Sequence, residues 1–220
     1  MSPASFVGRS AEIACLCREI EAGRNVVIVG KYGIGRTSLV RQAAARLQAA
    51  YRFSFLDFAS TPAAMCRSAL EEIFEGKTRR RQPPPESYRI ARRFLTHETP
   101  RDRRTSVLVF DDIARLTHAK CDLLDYLASS GRFRFVAIAE AFLPPADLSR
   151  LRVLLFPNAL LRLDPLGMGE SEEFFSRASR EHGLQWASAR VRLLARVKHG
   201  YPLEMAETVA RELRRRRERP

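Results

Sequence analysis

The sequence predicts an α/β fold: a parallel sheet of about five strands with helices on both faces, followed by a small C-terminal helical unit. Three observations carry that reading. A short β-branched run, Val26–Val29, ends at Gly30 and opens into a glycine-rich turn with a helix behind it. Runs suited to strands then alternate with helix-period segments as far as about residue 164. From Asp164 onward the period is helical throughout.

The elements follow in order. After the first strand, a helix runs from about Thr37 to Ala50. Arg52–Phe58 alternates with period two and reads as a second strand. A helix starts at Pro62, a residue favoured in a first turn, and reaches about Glu75. Residues 76–87 hold Gly76, Lys77, Arg79, Arg80, Arg81, Pro83, Pro84 and Pro85; that composition builds no packed core and reads as a mobile surface loop. Ser87–His97 is a helix, Ser106–Asp112 a strand, Ala119–Ser129 a helix and Phe133–Ala139 a further strand. A short helix lies near Leu148, and Ala159–Leu163 closes the sheet. Three helical segments begin near Glu170, Ser188 and Pro202. The expected division is 1–164 for the α/β unit and 165–220 for the helical unit.

Composition narrows the class. A chain of 220 residues, 45% of them hydrophobic, can bury a sizeable core and is neither disordered nor collagenous. No run approaches the roughly 20 apolar residues that span a bilayer. Arg9, Glu12, Arg18, Glu19 and Glu21 spoil a signal-peptide reading, so a soluble, cytoplasmic protein without membrane contact is expected. Cys15, Cys17, Cys66 and Cys121 have neither disulfide-framework nor zinc spacing and read as reduced thiols. His182 and His199 lack partner carboxylates at useful spacing.

The charge is +13, with 38 Lys and Arg against 25 Asp and Glu. Only Lys31, Lys77, Lys120 and Lys198 are lysines. Residues 77–104 alone carry ten basic and three acidic side chains, a net +7 that includes Arg79, Arg80 and Arg81. Arg214, Arg215, Arg216 and Arg217 form a second cluster. Blocks of like charge suit a polyanion, and a phosphate-backbone surface without base readout is expected at both. Tyr51, Tyr88 and Phe94 are spaced as helix core rather than as stacking platforms, and Trp186 as packing for the helical unit.

The chemistry concentrates in one loop. Gly30-Lys31-Tyr32-Gly33-Ile34-Gly35-Arg36-Thr37 matches the phosphate-loop pattern G-x-x-x-x-G-K-[ST] everywhere except Arg36. Its glycines let backbone N–H groups turn inward toward a polyphosphate, and the following helix offers its positive N-terminus. Thr37 would place a hydroxyl on Mg2+. About seventy residues later an apolar strand ends in Asp111-Asp112. Asp111 would hold the same Mg2+ through water, and Asp112 stands where a catalytic base orients the attacking water. Arg36 keeps a cation where the pattern has Lys, but a longer and forked one.

These residues resemble those of the AAA+ and STAND group of phosphate-loop ATPases, over about residues 6–213. Phe6-Val7-Gly8-Arg9 with Glu12 is similar to the opening box of that group, and the resemblance implies that Phe6 and Val7 flank adenine. Gly33-Ile34-Gly35-Arg36-Thr37-Ser38-Leu39 resembles the G-I-G-K-T-T-L of STAND proteins, and Phe110-Asp111-Asp112 their L-D-D. Leu163-Asp164-Pro165-Leu166 with Glu172, Glu173 and Phe174 looks like the sheet-to-lid junction. His199-Gly200-Tyr201-Pro202-Leu203 resembles the lid's G-x-P, which implies Pro202 near adenine or ribose. The resemblance implies ATP or ADP with Mg2+ as cofactors, assembly of copies on nucleotide binding, and an intersubunit arginine finger at Arg150 or Arg152.

Three positions depart from the group's pattern. Arg36 replaces Lys, Asp112 replaces the Glu usual in AAA+ proteins, and Ala139-Glu140-Ala141 stands where a polar sensor would end the fourth strand. A carboxylate facing a terminal phosphate repels it, and a base misplaced by about 1 Å can cost roughly a hundredfold in rate. The expected function is a nucleotide-binding ATPase with slow hydrolysis that assembles on nucleic acid, DNA favoured over RNA. Its analogues would be the small regulators of transposition or replication, with a transposase or other protein as client. Two alternatives stand beside it: a STAND-like signalling switch, and a degenerate ATP-binding structural subunit that does not touch DNA.

Overall fold

The computed structural model describes residues 6–74, 87–98 and 103–218. Helix α1 (Ser10–Glu21) leads into strand β1 (Asn25–Gly30), followed by α2 (Arg36–Leu47), β2 (Tyr51–Asp57), α3 (Pro62–Ile73) and α4 (Tyr88–His97). Then come β3 (Thr105–Ile113), α5 (His118–Ser129), β4 (Phe133–Glu140), α6 (Pro145–Leu154) and β5 (Asn158–Arg162). Helices α7 (Met168–Glu181), α8 (Ser188–Val197) and α9 (Pro202–Arg217) complete the chain. The expected elements are present, with ends moved by a few residues. The loop expected around 76–87, with Arg79, Arg80 and Arg81, lies outside the described residues but for its last position.

The five strands form one sheet in the order β2-β3-β4-β1-β5, every pairing parallel. Period-two alternation divides each strand between two cores. Val26 and Ile28 of β1, with Val107, Val109, Val136 and Ile138, face α1 and α2. Val27 and Val29, with Leu108, Phe110, Phe135 and Ala137, face α3 to α6. Burial on both faces explains why the central strands read as continuous apolar runs. Helix α1 presents Ile13, Leu16 and Ile20 at helical spacing to the first core. Thr61 caps α3 by accepting from the Ala64 N–H at 3.2 Å, with Pro62 at the first helical position. Tyr88 and Phe94 pack on the second core, as their spacing implies.

The three C-terminal helices enclose a separate cluster centred on Phe175, with Phe174, Ala178, Leu184, Val191, Ala195, Met205 and Val209. Trp186 packs on it, its ring 5.9 Å from that of Phe175. Val7 and Leu166 enter the same cluster, so the segment before α1 is part of the C-terminal helices' core.

Polar contacts tie these helices to the sheet. Glu170, in the first turn of α7, accepts the Gly167 N–H at 2.9 Å and the Arg9 N–H at 2.9 Å. The Arg9 side chain, only 4% exposed, donates to the Ile34 carbonyl at 3.1 Å, the Asp164 carbonyl at 2.7 Å and Glu12 at 3.1 Å. One guanidinium therefore joins the loop after β1 to the segment that leads into α7.

Two outcomes are expected. Arg9→Ala removes charge-assisted bonds to two carbonyls and should lower global stability by about 2–4 kcal/mol in urea denaturation. Phe175→Ala opens a cavity under the chain's single tryptophan. It should cost about 3–5 kcal/mol and shift Trp186 emission to the red before the sheet unfolds.

Candidate functional site

Open parallel sheets place ligands at the carboxyl ends of their strands, and the unusual residues of this chain gather there. Gly30 ends β1, and the turn of 31–35 delivers the chain into α2. Gly33 and Gly35 adopt left-handed backbone, φ 77° and 94°, which side-chain-bearing residues rarely take. Ile34 between them is 1% exposed and anchors the loop in the sheet core, so its neighbours can arch outward. Among the described residues no side chain caps α2, whose first N–H groups stand behind the loop. Lys31, Tyr32 and Ser38 are exposed on its rim.

Thr37 and Asp111 come together. The Thr37 hydroxyl lies 2.9 Å from Asp111 Oδ2 and 3.1 Å from Oδ1. These two ligand types suit a hard divalent cation that keeps most of its water. The strand end behind them is fixed twice: the Phe58 N–H donates to the Asp111 carbonyl at 2.8 Å, and buried Lys120 donates to the Phe58 carbonyl. Burial pushes the Lys120 ammonium below the ordinary lysine range.

Asp112 is exposed and left-handed, φ 64°, at an irregularity where the β3–β4 register shifts between Phe110 and Ile113. Its own N–H donates to Asp111 Oδ1 at 3.0 Å. Such bulges re-aim a side chain at the end of a strand, and Asp tolerates the backbone. Sequence spacing places Asp112 at a strand tip but gives no sign of this turn.

The Arg36 guanidinium lies beneath the loop, 7% of the residue being exposed. Nη1 donates to the Gly30 carbonyl at 2.8 Å and the Ala139 carbonyl at 2.7 Å, and Nη2 donates to the Glu140 carboxylate. Glu140 is 3% exposed and stands opposite Gly30 in the β1–β4 register. Among the described residues its second oxygen, Oε2, has no hydrogen-bond partner. The two charged departures from the pattern are thus one ion pair. Their joint appearance in the sequence was the signal, and it needed the register to become legible.

The start of α9 bonds to the loop as well. The Leu203 N–H donates to the Gly33 carbonyl at 3.2 Å, and the Tyr201 hydroxyl to the Tyr32 carbonyl at 2.6 Å. A Cβ on Gly33 would stand 2.7 Å from that of Leu203. Pro202 borders Gly35. Val7 gives its side chain to the C-terminal core, and half-buried Phe6 packs on the sheet core, so an adenine there would meet chiefly backbone from Val7. Arg9, Glu170, Tyr201 and Leu203 are site-forming residues that the spacing alone did not single out.

The remaining candidates lie apart. Arg150 and Arg152 are exposed on α6, and Arg152 Nε donates to Asn158 Oδ1 at 3.2 Å. Arg214 and Arg215 are exposed on the last turn of α9. Arg216 is spent locally, donating to the Gly183 carbonyl at 2.7 Å and to that of Leu184. Arg92 of the first basic segment lies over the Tyr126 ring at 4.5 Å. Among the described residues no cluster of His, Cys, Asp and Glu could hold a metal by itself, and no helix is long and apolar enough to cross a membrane.

The loop, the uncapped helix and the Thr37–Asp111 pair suit a magnesium polyphosphate; the Arg36 position is filled from within. Similar solved structures share this architecture. Orc1 of Aeropyrum pernix, solved in complex with DNA, superposes with a TM-score of 0.72 at 16% identity, over 99% of this chain and 63% of that one. The RuvB Holliday junction branch migration motor of Thermotoga maritima gives 0.63 at 18% identity, over 94% and 62%. Cdc6p of Pyrobaculum aerophilum gives 0.61 at 14%, over 93% and 60%. The chain therefore spans less than two thirds of each. No curated protein matches it in sequence. The model of the AAA ATPase domain matches residues 5–138, more than half of the length. The chain belongs to the AAA ATPase domain family.

Proposed function

We propose that the chain is a nucleotide-binding ATPase module that takes ATP or ADP with Mg2+ and, in the nucleotide-bound state, assembles on DNA. The observation that carries the nucleotide reading is the meeting of Thr37 and Asp111 at the mouth of the loop. In this reading the backbone of 31–37 and Ser38 hold the phosphates, Thr37 and Asp111 hold Mg2+, and Phe6, Val7 and Pro202 border the base. Residues 165–220 act as the lid. The metal supplies charge neutralisation of the phosphates; the chain supplies the cradle and its orientation.

Hydrolysis is slow in this reading. Asp112 is the proposed water-orienting residue, and its short side chain leaves from an exposed, left-handed backbone position. DNA contact is supported by the charge of +13 and by exposed Arg214 and Arg215. The Orc1 relative solved with DNA and the branch migration motor point the same way by likeness of fold. Arg79, Arg80 and Arg81 belong to the same surface in the proposal, and Arg150 or Arg152 would reach a neighbouring copy. The internal Arg36–Glu140 pair favours a second reading, a nucleotide-holding structural subunit with no useful turnover.

Calorimetry decides the first step. Mg-dependent ADP binding is expected, weakened at least tenfold by Thr37→Ala with loss of most of its magnesium dependence. Absence of binding at millimolar nucleotide contradicts the proposal. For DNA, log K should fall with log salt at a slope near −4 to −5 if roughly five side chains meet phosphates. Arg214→Ala with Arg215→Ala should flatten that slope by about two units.

A further inference from the structure

We propose that Glu140 is a resident anion that sets the phosphate-length preference of the loop, so that the site takes a nucleoside diphosphate in preference to a triphosphate. The proposal rests on the nucleotide-binding reading above and names the ligand form that the site prefers.

The strand order carries the first part. Strand β4 lies between β1, which ends in the loop, and β3, which ends in Asp111. A polyphosphate cradled by the loop and extended toward the Thr37–Asp111 pair therefore passes the end of β4. Glu140 is the last residue of that strand, paired in register with Gly30. In this proposal the loop backbone holds two phosphates, and a third extends toward the end of β4, where Glu140 stands.

The donors carry the second part. A guanidinium has five N–H groups. Arg36 commits both on Nη1 to the Gly30 and Ala139 carbonyls and one on Nη2 to Glu140. The cation that would neutralise an added phosphate is already neutralised by a carboxylate, in a place shielded from water. Moving Arg36 onto a phosphate would strand Glu140 as a buried, uncompensated charge, a costly outcome.

The unpartnered oxygen carries the third. Glu140 Oε2 is buried and accepts nothing among the described residues. A terminal phosphate brings only further acceptors and negative charge, so it cannot satisfy that oxygen, and repulsion at short range is strong where water is excluded. A diphosphate ends before the conflict begins.

The test is calorimetry of the intact chain with Mg2+ and ADP, ATP or a non-hydrolysable ATP analogue, and with pyrophosphate against tripolyphosphate. The wild-type chain should bind ADP about tenfold or more tighter than ATP, and pyrophosphate tighter than tripolyphosphate. Glu140→Gln keeps the volume and removes the charge; the ADP-to-ATP ratio should fall at least fivefold, chiefly through tighter ATP binding. Should that variant fail to fold, Arg36→Lys combined with Glu140→Thr replaces both members of the pair and should bring the ratio near one. A wild-type ratio near one, or one favouring ATP, overturns the proposal. So does a diphosphate preference that survives both variants. If neither nucleotide binds at millimolar concentration, the nucleotide-binding reading itself falls, and this inference falls with it.

Discussion

The site depends on one buried contact, the guanidinium of Arg36 held between the ends of β1 and β4. It satisfies two strand-end carbonyls and neutralises Glu140 at the point where the sheet gives way to the loop. A buried ion pair is weak support for stability, because removing two charges from water costs nearly what their attraction returns. Its consequence is geometric. Arg36 is the first residue of α2, so its three bonds fix where that helix starts and how the loop arches over it. Removing either partner would leave the other charged and buried, and the loop would lose its floor.

A second layer of contacts holds the loop from outside. Arg9 reaches the Ile34 carbonyl from the segment before α1, while Leu203 and Tyr201 reach the Gly33 and Tyr32 carbonyls from the start of α9. Three carbonyls of one short turn are thereby bound to distant parts of the chain. Arg9 and Glu170 tie the same segment to the C-terminal helices, so the loop and those helices share one set of polar contacts.

The architecture was legible because burial on both sheet faces leaves a plain mark. Val26–Val29 and Ser106–Phe110 are too apolar for anything but central strands, and Pro62, Ser87 and Pro202 mark helix starts. The phosphate loop was legible because its glycines are required by backbone angle rather than by packing. The Arg36–Glu140 pair was not, since its members lie 104 residues apart and meet only through the β1–β4 register. That Arg36 is the cation sharing the burial of Glu140 was beyond the reach of spacing alone. The left-handed turn at Asp112 and the local use of Arg216 were equally hidden, because both depend on tertiary neighbours. The packing of the Val7 side chain in the cluster of Phe174 and Phe175 was likewise hidden. Arg79, Arg80 and Arg81 lie outside the described residues.

The most direct measurement is a crystal structure of the chain with Mg2+ and ADP. The diphosphate is expected against the backbone of 33–37, with Mg2+ beside Thr37 and Asp111 and Arg36 still bonded to Glu140, Gly30 and Ala139. An Arg36 side chain swung onto the phosphates, with Glu140 left alone at the end of β4, would contradict it.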